Sequence, residues 1–383
     1  MKIVIIGAGK TGRGFLTRFA LRAGASVSFI DKSESLVRKL NVEEGYSIHY
    51  FGEDCPPVRV QKVRAAMAGT VEAFLMLLEA DLIFTAVGEQ HLPQVAESLI
   101  RSMKQREVER KPVFVITGEN GVRPGQKLEE ALSRLGAGAG YPTVVESAIF
   151  CSTVERPGTS MDIDSESYEE LPYDSVRLPS SRALPSMVAE PKFPELLQRK
   201  IYTYNCISAC VAYLGAWKGY RLYAEAANDP EIDQLVRQVL GPLNRALAEH
   251  LDISLDTQVA FSERAVRKFQ DVLIQDDIAR NARDVARKLG PAERLIAPAS
   301  IIRERGGTAE ELHPFAVVVA AALHYKEAGG PAWMKRLAEV GPAAFLQEVS
   351  GLDEVDPFLQ DAVRTYELMR HRGRETSSVG VYL

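Results

Sequence analysis

The sequence predicts an α/β chain, with a doubly wound, mostly parallel sheet over residues 1–190 and a mainly α-helical domain over residues 191–383. Three observations point there. An apolar run, Ile3-Val4-Ile5-Ile6, leads straight into glycines at 7, 9 and 12 and then into a helix-spaced segment from Phe15 to Arg22. Further short apolar runs alternate with helix-patterned segments up to about residue 145, as stacked βαβ units do. From about residue 191 onward the pattern is helical almost without interruption, with enough apolar faces for a second core.

The first run has the composition of a strand buried on both faces. Gly7-Ala8-Gly9-Lys10-Thr11-Gly12 follows it as G-x-G-x-x-G between strand and helix, the context a Rossmann dinucleotide loop requires. Gly7 permits the tight turn, Gly9 lets a pyrophosphate approach the backbone, and Gly12 lets helix and strand pack closely. The helix N-terminus offers unpaired N–H groups to the phosphates. A second strand, residues 25–30, ends at Asp31, close to the separation of about 20 residues expected for an acid on the adenosine ribose. A carboxylate there accepts from a ribose diol and repels a 2′-phosphate, so NAD(H) is the expected cofactor.

Helices follow over residues 34–40 and 70–78, with a polar and aromatic stretch at 46–51 and a strand at 58–63 between them. Residues 80–88 form the next buried strand. It ends in Thr85-Ala86-Val87-Gly88, small residues that leave room for a ligand beyond the sheet. A helix over 92–103, a strand over 112–117 with Gly118-Glu119-Asn120-Gly121 at its exit, a helix over 124–135 and a strand over 143–145 complete the alternation. Pro, Ser, Asp and Glu dominate 151–190, which reads as an irregular or hairpin-like crossover. Helices are then expected over 195–220, 230–250, 257–273, 278–289, 291–302, 313–327, 332–340, 342–348 and 357–371, with a loose polar tail at 372–383.

A chain of 383 residues suggests two domains. With 46% apolar and 25% charged residues and a net charge of −5, nothing invites nucleic acid or an anionic membrane. No apolar run reaches the roughly 18 residues a span needs. Cys55, Cys151, Cys206 and Cys210 contain no C-x-x-C pair, so neither a disulfide framework nor a metal site is indicated. The expectation is a cytoplasmic protein, a monomer or small homo-oligomer, acting on a small molecule without a metal.

Hydride exchange with an alcohol needs a proton carrier beside the oxygen and donors that polarise it. At the start of the helical domain, Lys200, Asn205 and Ser208 fall within roughly a 140° arc on an α-helix. Apolar and aromatic neighbours lower a lysine's pKa toward the working range of a base, although a solvated lysine and a helix-bridging asparagine fit the same pattern. Cys206 and Cys210 point to the core. Arg280, Arg283 and Arg287 lie at i, i+3 and i+7, followed by Lys288 and Arg294. The guanidinium groups of Arg280, Arg287 and Arg294 suit a substrate phosphate, while Asp276, Asp277 and Asp284 stand at ordinary pairing distances. His324 reads as a satisfied side chain in an apolar helix.

The chain resembles the polyol-specific long-chain dehydrogenases. The resemblance rests on GAGKTGRGF at residues 7–15, Thr85-Ala86-Val87-Gly88, Glu119-Asn120 with Val122-Arg123, and Lys200-x4-Asn205. It extends through Ala212-Tyr213-Leu214-Gly215, Arg287-Lys288-Leu289, Glu293-Arg294-Leu295-Ile296 and residues 320–325. It implies NAD(H), no metal, exchange between a ketose phosphate and a polyol phosphate, Lys200 as general acid/base, and Asn120 and Asn205 holding the reacting oxygen. Two departures stand out. Ser208 replaces the histidine of Lys-x4-Asn-x2-His, and Ile149-Phe150-Cys151-Ser152 replaces Val-Asp-Arg-Ile. They leave room for another carbonyl substrate on the same architecture, as in ketopantoate reductases or opine dehydrogenases, or for a protein that binds cofactor or sugar phosphate without turnover.

Overall fold

A computed structural model describes residues 1–52, 56–138 and 141–375. The chain divides into two compact units, Met1–Leu197 and Gln198–Leu383. Cys55 and the tail beyond residue 375 lie outside the described residues; the final helix, Pro357–Glu375, runs through the start of the expected tail.

The first unit carries strands β1 (Lys2–Ile6), β2 (Ser26–Asp31), β3 (Gly45–Tyr50), β4 (Val58–Gln61), β5 (Arg64–Met67), β6 (Leu82–Thr85), β7 (Phe114–Thr117), β8 (Thr143–Glu146), β9 (Thr153–Glu155), β10 (Ile163–Ser165), β11 (Leu171–Asp174) and β12 (Met187–Glu190). Six of them form a wholly parallel sheet in the order β5-β2-β1-β6-β7-β8. The chain reverses direction across the sheet between β1 and β6, the switch point at which such sheets bind ligands. Alternate residues of β1 serve opposite cores. Ile3 and Ile5 pack with Phe15, Phe19 and Phe29, while Val4 and Ile6 pack with Ile83, Leu99 and Leu128. Helices Glu34–Glu43 and Val71–Glu79 start at Ser33 and Thr70, whose hydroxyls accept from the third residue of each helix.

Two parts differ from the sequence reading. The expected strand over 58–63 ends at Gln61, because Lys62 takes a left-handed φ of 57°, and a further strand follows it. Val58–Gln61 pairs with β3, while Arg64-Ala65-Ala66-Met67 becomes the edge of the parallel sheet beside β2. That edge strand has no β-branched or aromatic residue to mark it. The crossover expected to be irregular or hairpin-like takes the hairpin form and adds further strands. β9 and β10 form an antiparallel pair that completes a four-stranded sheet, β4-β3-β10-β9, and β11 pairs with β12 in parallel.

Arg18, on the helix after the glycine loop, fastens this crossover. It is 2% exposed. Its guanidinium donates to Ser165 Oγ at 3.0 Å, to the Glu166 carbonyl at 2.8 Å and to the Tyr168 carbonyl. It also lies 5.3 Å and 5.2 Å from the ring centres of Phe15 and Tyr50.

The second unit is helical. Its longest elements are Cys206–Trp217, Pro230–His250, Leu255–Gln270, Ala309–His324, Ala332–Ser350 and Pro357–Glu375. Asp229, Ser254 and Thr308 cap their starts, Thr308 as a capping box with Glu311. The break expected near residue 341 is a kink at Gly341, φ 80°, immediately before Pro342. The single helix expected over 278–289 does not form. Arg283 is extended and Asp284 left-handed at φ 64°, which leaves two short helices, Ile278–Ala282 and Val285–Lys288. Arg280, Arg283 and Arg287 therefore share no helical face.

Replacing Arg18 with Met keeps an unbranched stem but removes its hydrogen bonds to Ser165 Oγ and to the Glu166 and Tyr168 carbonyls. The Arg18→Met variant is expected to lose about 3 kcal/mol of stability, read as a lower urea midpoint; an unchanged midpoint would dissociate Arg18 from the crossover.

Candidate active site

In the first unit the glycine loop is fixed by steric exclusion. Gly7 has a φ of 102°, its N–H donates to the Ile30 carbonyl at 2.8 Å, and a Cβ there would lie 2.4 Å from the Ala86 carbonyl oxygen. At Gly12 a Cβ would lie 2.1 Å from the Gly7 carbonyl oxygen. Gly9 differs, with nothing within 4 Å of an added Cβ. Its backbone faces open space, as close approach of a pyrophosphate requires. The helix beyond begins with a π turn, Gly12–Leu16, in which the Thr17 hydroxyl donates to the Gly12 carbonyl at 2.9 Å. Lys10 and Thr11 lie half-buried at the helix start.

Asp31 closes β2 against this loop. One carboxylate oxygen accepts from the Ala8 N–H and the other from the Ser33 N–H, both at 2.8 Å. Each oxygen keeps a lone pair for a further donor, so bracing the loop leaves Asp31 able to meet a ribose diol. Thr85, Ala86 and Val87 continue from β6, and Glu119 grips them. That carboxylate is 2% exposed and accepts from the Val87 N–H at 3.0 Å and the Gly88 N–H at 2.7 Å. Burial pushes its pKa up, and the two backbone donors oppose that shift. Asn120 follows directly and is exposed. The residues expected to hold cofactor in this unit are thus connected through Gly7, Asp31 and Glu119. Sequence reasoning gave Glu119 no role; its signals were an acid at a strand exit and its place beside Asn120 in the motif that carries the resemblance.

In the second unit Lys200 is 3% exposed. Burial, helped by the nearby charges of Arg294 and Lys268, lowers its pKa from 10.5 to about 7. The α-helical arc gives way to a different geometry, because Ile201–Asn205 is a π turn between Phe193–Lys200 and Cys206–Trp217. A turn closed by i→i+5 bonds brings residue i+5 back over residue i, so the five-residue spacing of Lys200 and Asn205 matches it. Asn205 and Ser208 are half-buried, and Cys206 and Cys210 are buried. The Ser208 carbonyl accepts from the Tyr223 hydroxyl at 3.3 Å.

The arginines separate into two groups. Arg294 places Nε and Nη2 on Glu293 Oε2 at 3.1 Å and 3.0 Å, and Arg287 places Nη1 on Glu293 Oε1 at 3.1 Å. Lys288 is buried beside them. Its amine donates to the Asn281 carbonyl and lies 5.8 Å from the Tyr213 ring centre, and burial, Arg294 and Arg287 bring its pKa to about 7. Arg280 stands apart, exposed and paired with Asp276 at 3.0 Å and 3.1 Å. His324 Nε2–H donates to the Tyr366 carbonyl at 3.0 Å and its ring stacks on Tyr366, the satisfied role read from sequence.

Among the described residues no group of three or more His, Cys, Asp or Glu side chains could hold a metal ion, and no helix is long and apolar enough to cross a membrane. Comparison with known proteins identifies residues 1–161 as a mannitol dehydrogenase Rossmann domain and residues 194–369 as a mannitol dehydrogenase C-terminal domain.

The chain belongs to the mannitol dehydrogenase family.

It is 30% identical to the mannitol-1-phosphate 5-dehydrogenase of Shouchella clausii, over 94% of this chain and 99% of that one. It is 26% identical to the protein of that name from Exiguobacterium sp., over 99% and 100%. Its fold matches the mannitol 2-dehydrogenase of Pseudomonas fluorescens, solved with NAD and D-mannitol, with a TM-score of 0.78 at 15% identity, covering 97% of this chain and 92% of that one. Membership makes the chain a dehydrogenase with a Rossmann nucleotide domain, in place of the ketopantoate reductase and opine dehydrogenase alternatives.

The Lys200 amine gives this mannitol dehydrogenase family member a proton linkage of definite sign. Its folded pKa, about 7, lies below the unfolded 10.5. Between those values the unfolded chain holds the extra proton, so this group makes stability rise with pH. Lys200→Met is expected to reduce the slope of unfolding free energy between about pH 7.5 and 9.5 by about 1.4 kcal/mol per pH unit. Urea titrations across that range measure it, and an unchanged slope would mean an ordinary lysine.

Proposed function

We propose that the chain is an NAD(H)-dependent oxidoreductase that interconverts a ketose phosphate and a polyol phosphate, as the name mannitol-1-phosphate 5-dehydrogenase describes for its relatives. The observation that carries this reading is the buried Lys200, with a pKa brought to about 7 and with Asn205 one π turn away. An amine near neutrality accepts the alcohol proton in one direction and returns it in the other. NAD supplies the hydride acceptor, held by Gly7, Ala8, Gly9, Lys10, Thr11 and Gly12, with Asp31 on the adenosine ribose and Thr85, Ala86 and Val87 beside it. The Asn205 carboxamide, one π turn from Lys200, would donate to the reacting oxygen and polarise it, and the same role is proposed for Asn120 from the motif it belongs to. Arg287 and Arg294 share the Glu293 carboxylate, and Arg287 also meets Asp284 at 3.4 Å; their guanidinium forks suit a phosphate dianion once it displaces one of these carboxylates. Arg280, engaged with Asp276, would have to leave that pair to join them. The expected setting is the cytoplasm.

Two variants test the reading. Lys200→Ala is expected to keep NADH affinity, read by fluorescence titration, while turnover of fructose 6-phosphate falls about 10²-fold or more. Turnover near that of the unmodified protein would remove Lys200 from proton transfer, and no turnover by the unmodified protein on any ketose phosphate would favour a binding role. NADPH in the same titration is expected to bind more weakly, because Asp31 repels its 2′-phosphate.

Ser208→His is expected to raise turnover of fructose 6-phosphate about tenfold, or about 1.4 kcal/mol in the transition state, within reach of one hydrogen bond to a charged group. A loss of activity would mean that serine fits a different substrate. No change on any substrate would place position 208 outside the site.

A further inference from the structure

The π turn at Ile201–Asn205 is gripped from one side by a chain of buried polar groups. Gln258 is fully buried on the helix Leu255–Gln270. Its carbonyl oxygen accepts from Arg199 Nε at 2.8 Å, and its amide nitrogen donates to Thr203 Oγ1 at 3.0 Å and to Asn244 Oδ1 at 3.2 Å. Asn244 donates to Ser262 Oγ at 3.0 Å, and that hydroxyl donates to the Val259 carbonyl at 2.9 Å. A guanidinium can only donate, so Arg199 fixes which way the Gln258 amide faces and directs its N–H groups onto Thr203 and Asn244. Arg199 is itself anchored, with its guanidinium 4.1 Å from the Phe261 ring centre and Nη2 on the Thr257 carbonyl at 2.6 Å.

The attachment points matter more than the number of bonds. Arg199 immediately precedes Lys200, and Thr203 lies between Lys200 and Asn205, so Gln258 holds the chain on both sides of the lysine. A π turn is rare inside an α-helix and recurs at functional sites; an uncommon backbone geometry persists where its surroundings over-determine it. A buried network in which each group meets a partner supplies such a constraint, and one broken link leaves polar atoms stranded. Valine has the shape of threonine, so packing alone does not require the Thr203 hydroxyl.

We infer that Gln258 and Thr203 are positioning residues that hold the π turn and so keep Lys200 and Asn205 in register for proton transfer. This rests on the reading of Lys200 as proton carrier. The test combines hydrogen exchange of the peptide spanning residues 199–206 with steady-state kinetics in NADH and fructose 6-phosphate, on Thr203→Val, Thr203→Ser and Gln258→Met. Thr203→Val is expected to speed exchange across the π turn at least tenfold, to lower kcat about tenfold, to leave KM for NADH unchanged, and to shift the pH profile of kcat. Thr203→Ser, which keeps the hydroxyl, restores all three affected readouts. Unchanged exchange in Thr203→Val overturns the inference. So does faster exchange with unaltered kcat and pH profile in a background where Lys200→Ala is inactive, since the network would then be merely structural. If Lys200→Ala keeps full turnover, the proton-carrier reading falls separately, and exchange alone decides whether the network holds the turn. Should Gln258→Met fail to fold, the two Thr203 variants carry the test.

Discussion

Keeping an amine out of water is the constraint on which the second unit is built. A charged ammonium buried in a protein interior costs several kcal/mol, and the nearby charges of Arg294 and Lys268 disfavour the charged form of Lys200 further. The nearby acid Glu293 is committed to Arg287 and Arg294. The unit therefore lets its lysine give up its proton close to neutral pH. That choice explains why so many polar groups around this helix are satisfied by one another, since an unpaired dipole there would add a second penalty of the same kind.

The first unit answers to a constraint of space. A methyl group at Gly7 or Gly12 would collide with backbone oxygens, so the loop, β1 and the chain leaving β6 close on one another with no side chain between them. Asp31 and Glu119 then spend charge on backbone N–H groups, Asp31 on the loop itself and Glu119 on Val87 and Gly88. Each charge is offset by oriented dipoles, which stiffens a surface that open, mobile loops would leave imprecise.

Legibility in the sequence followed these physical origins. The glycine loop and the parallel strands could be read because steric exclusion and two-sided burial leave compositional traces, glycine where no Cβ fits and an unbroken Val/Ile run where both faces are covered. The strand Arg64–Met67 left none, and the strands within residues 151–190 showed only as a hairpin-like stretch, because they are short. The helix expected over 278–289 failed at Arg283 and Asp284, where a periodic arginine pattern overrode no turn signal strong enough to be noticed. At the site, the spacing from Lys200 to Asn205 was visible, but the π turn that gives it meaning was not. Gln258, Asn244 and Glu119 were hidden for a simpler reason: polar side chains read as solvated unless the fold shows what they touch.

The π turns also bear on how this chain tolerates change in length. A turn closed by i→i+5 bonds houses one more residue than the α-helical turn it replaces. Deleting any one residue from 201–204 would remove that surplus and let the segment close as continuous α-helix, with the helix beyond it keeping its phase. Cys206, Cys210 and Tyr213, all buried, would keep their neighbours, while the local geometry that relates Lys200 to Asn205 would be lost. A single-codon deletion here would therefore cost the site more than the core. The glycine-loop helix, with its own π turn at Gly12–Leu16, has the same property.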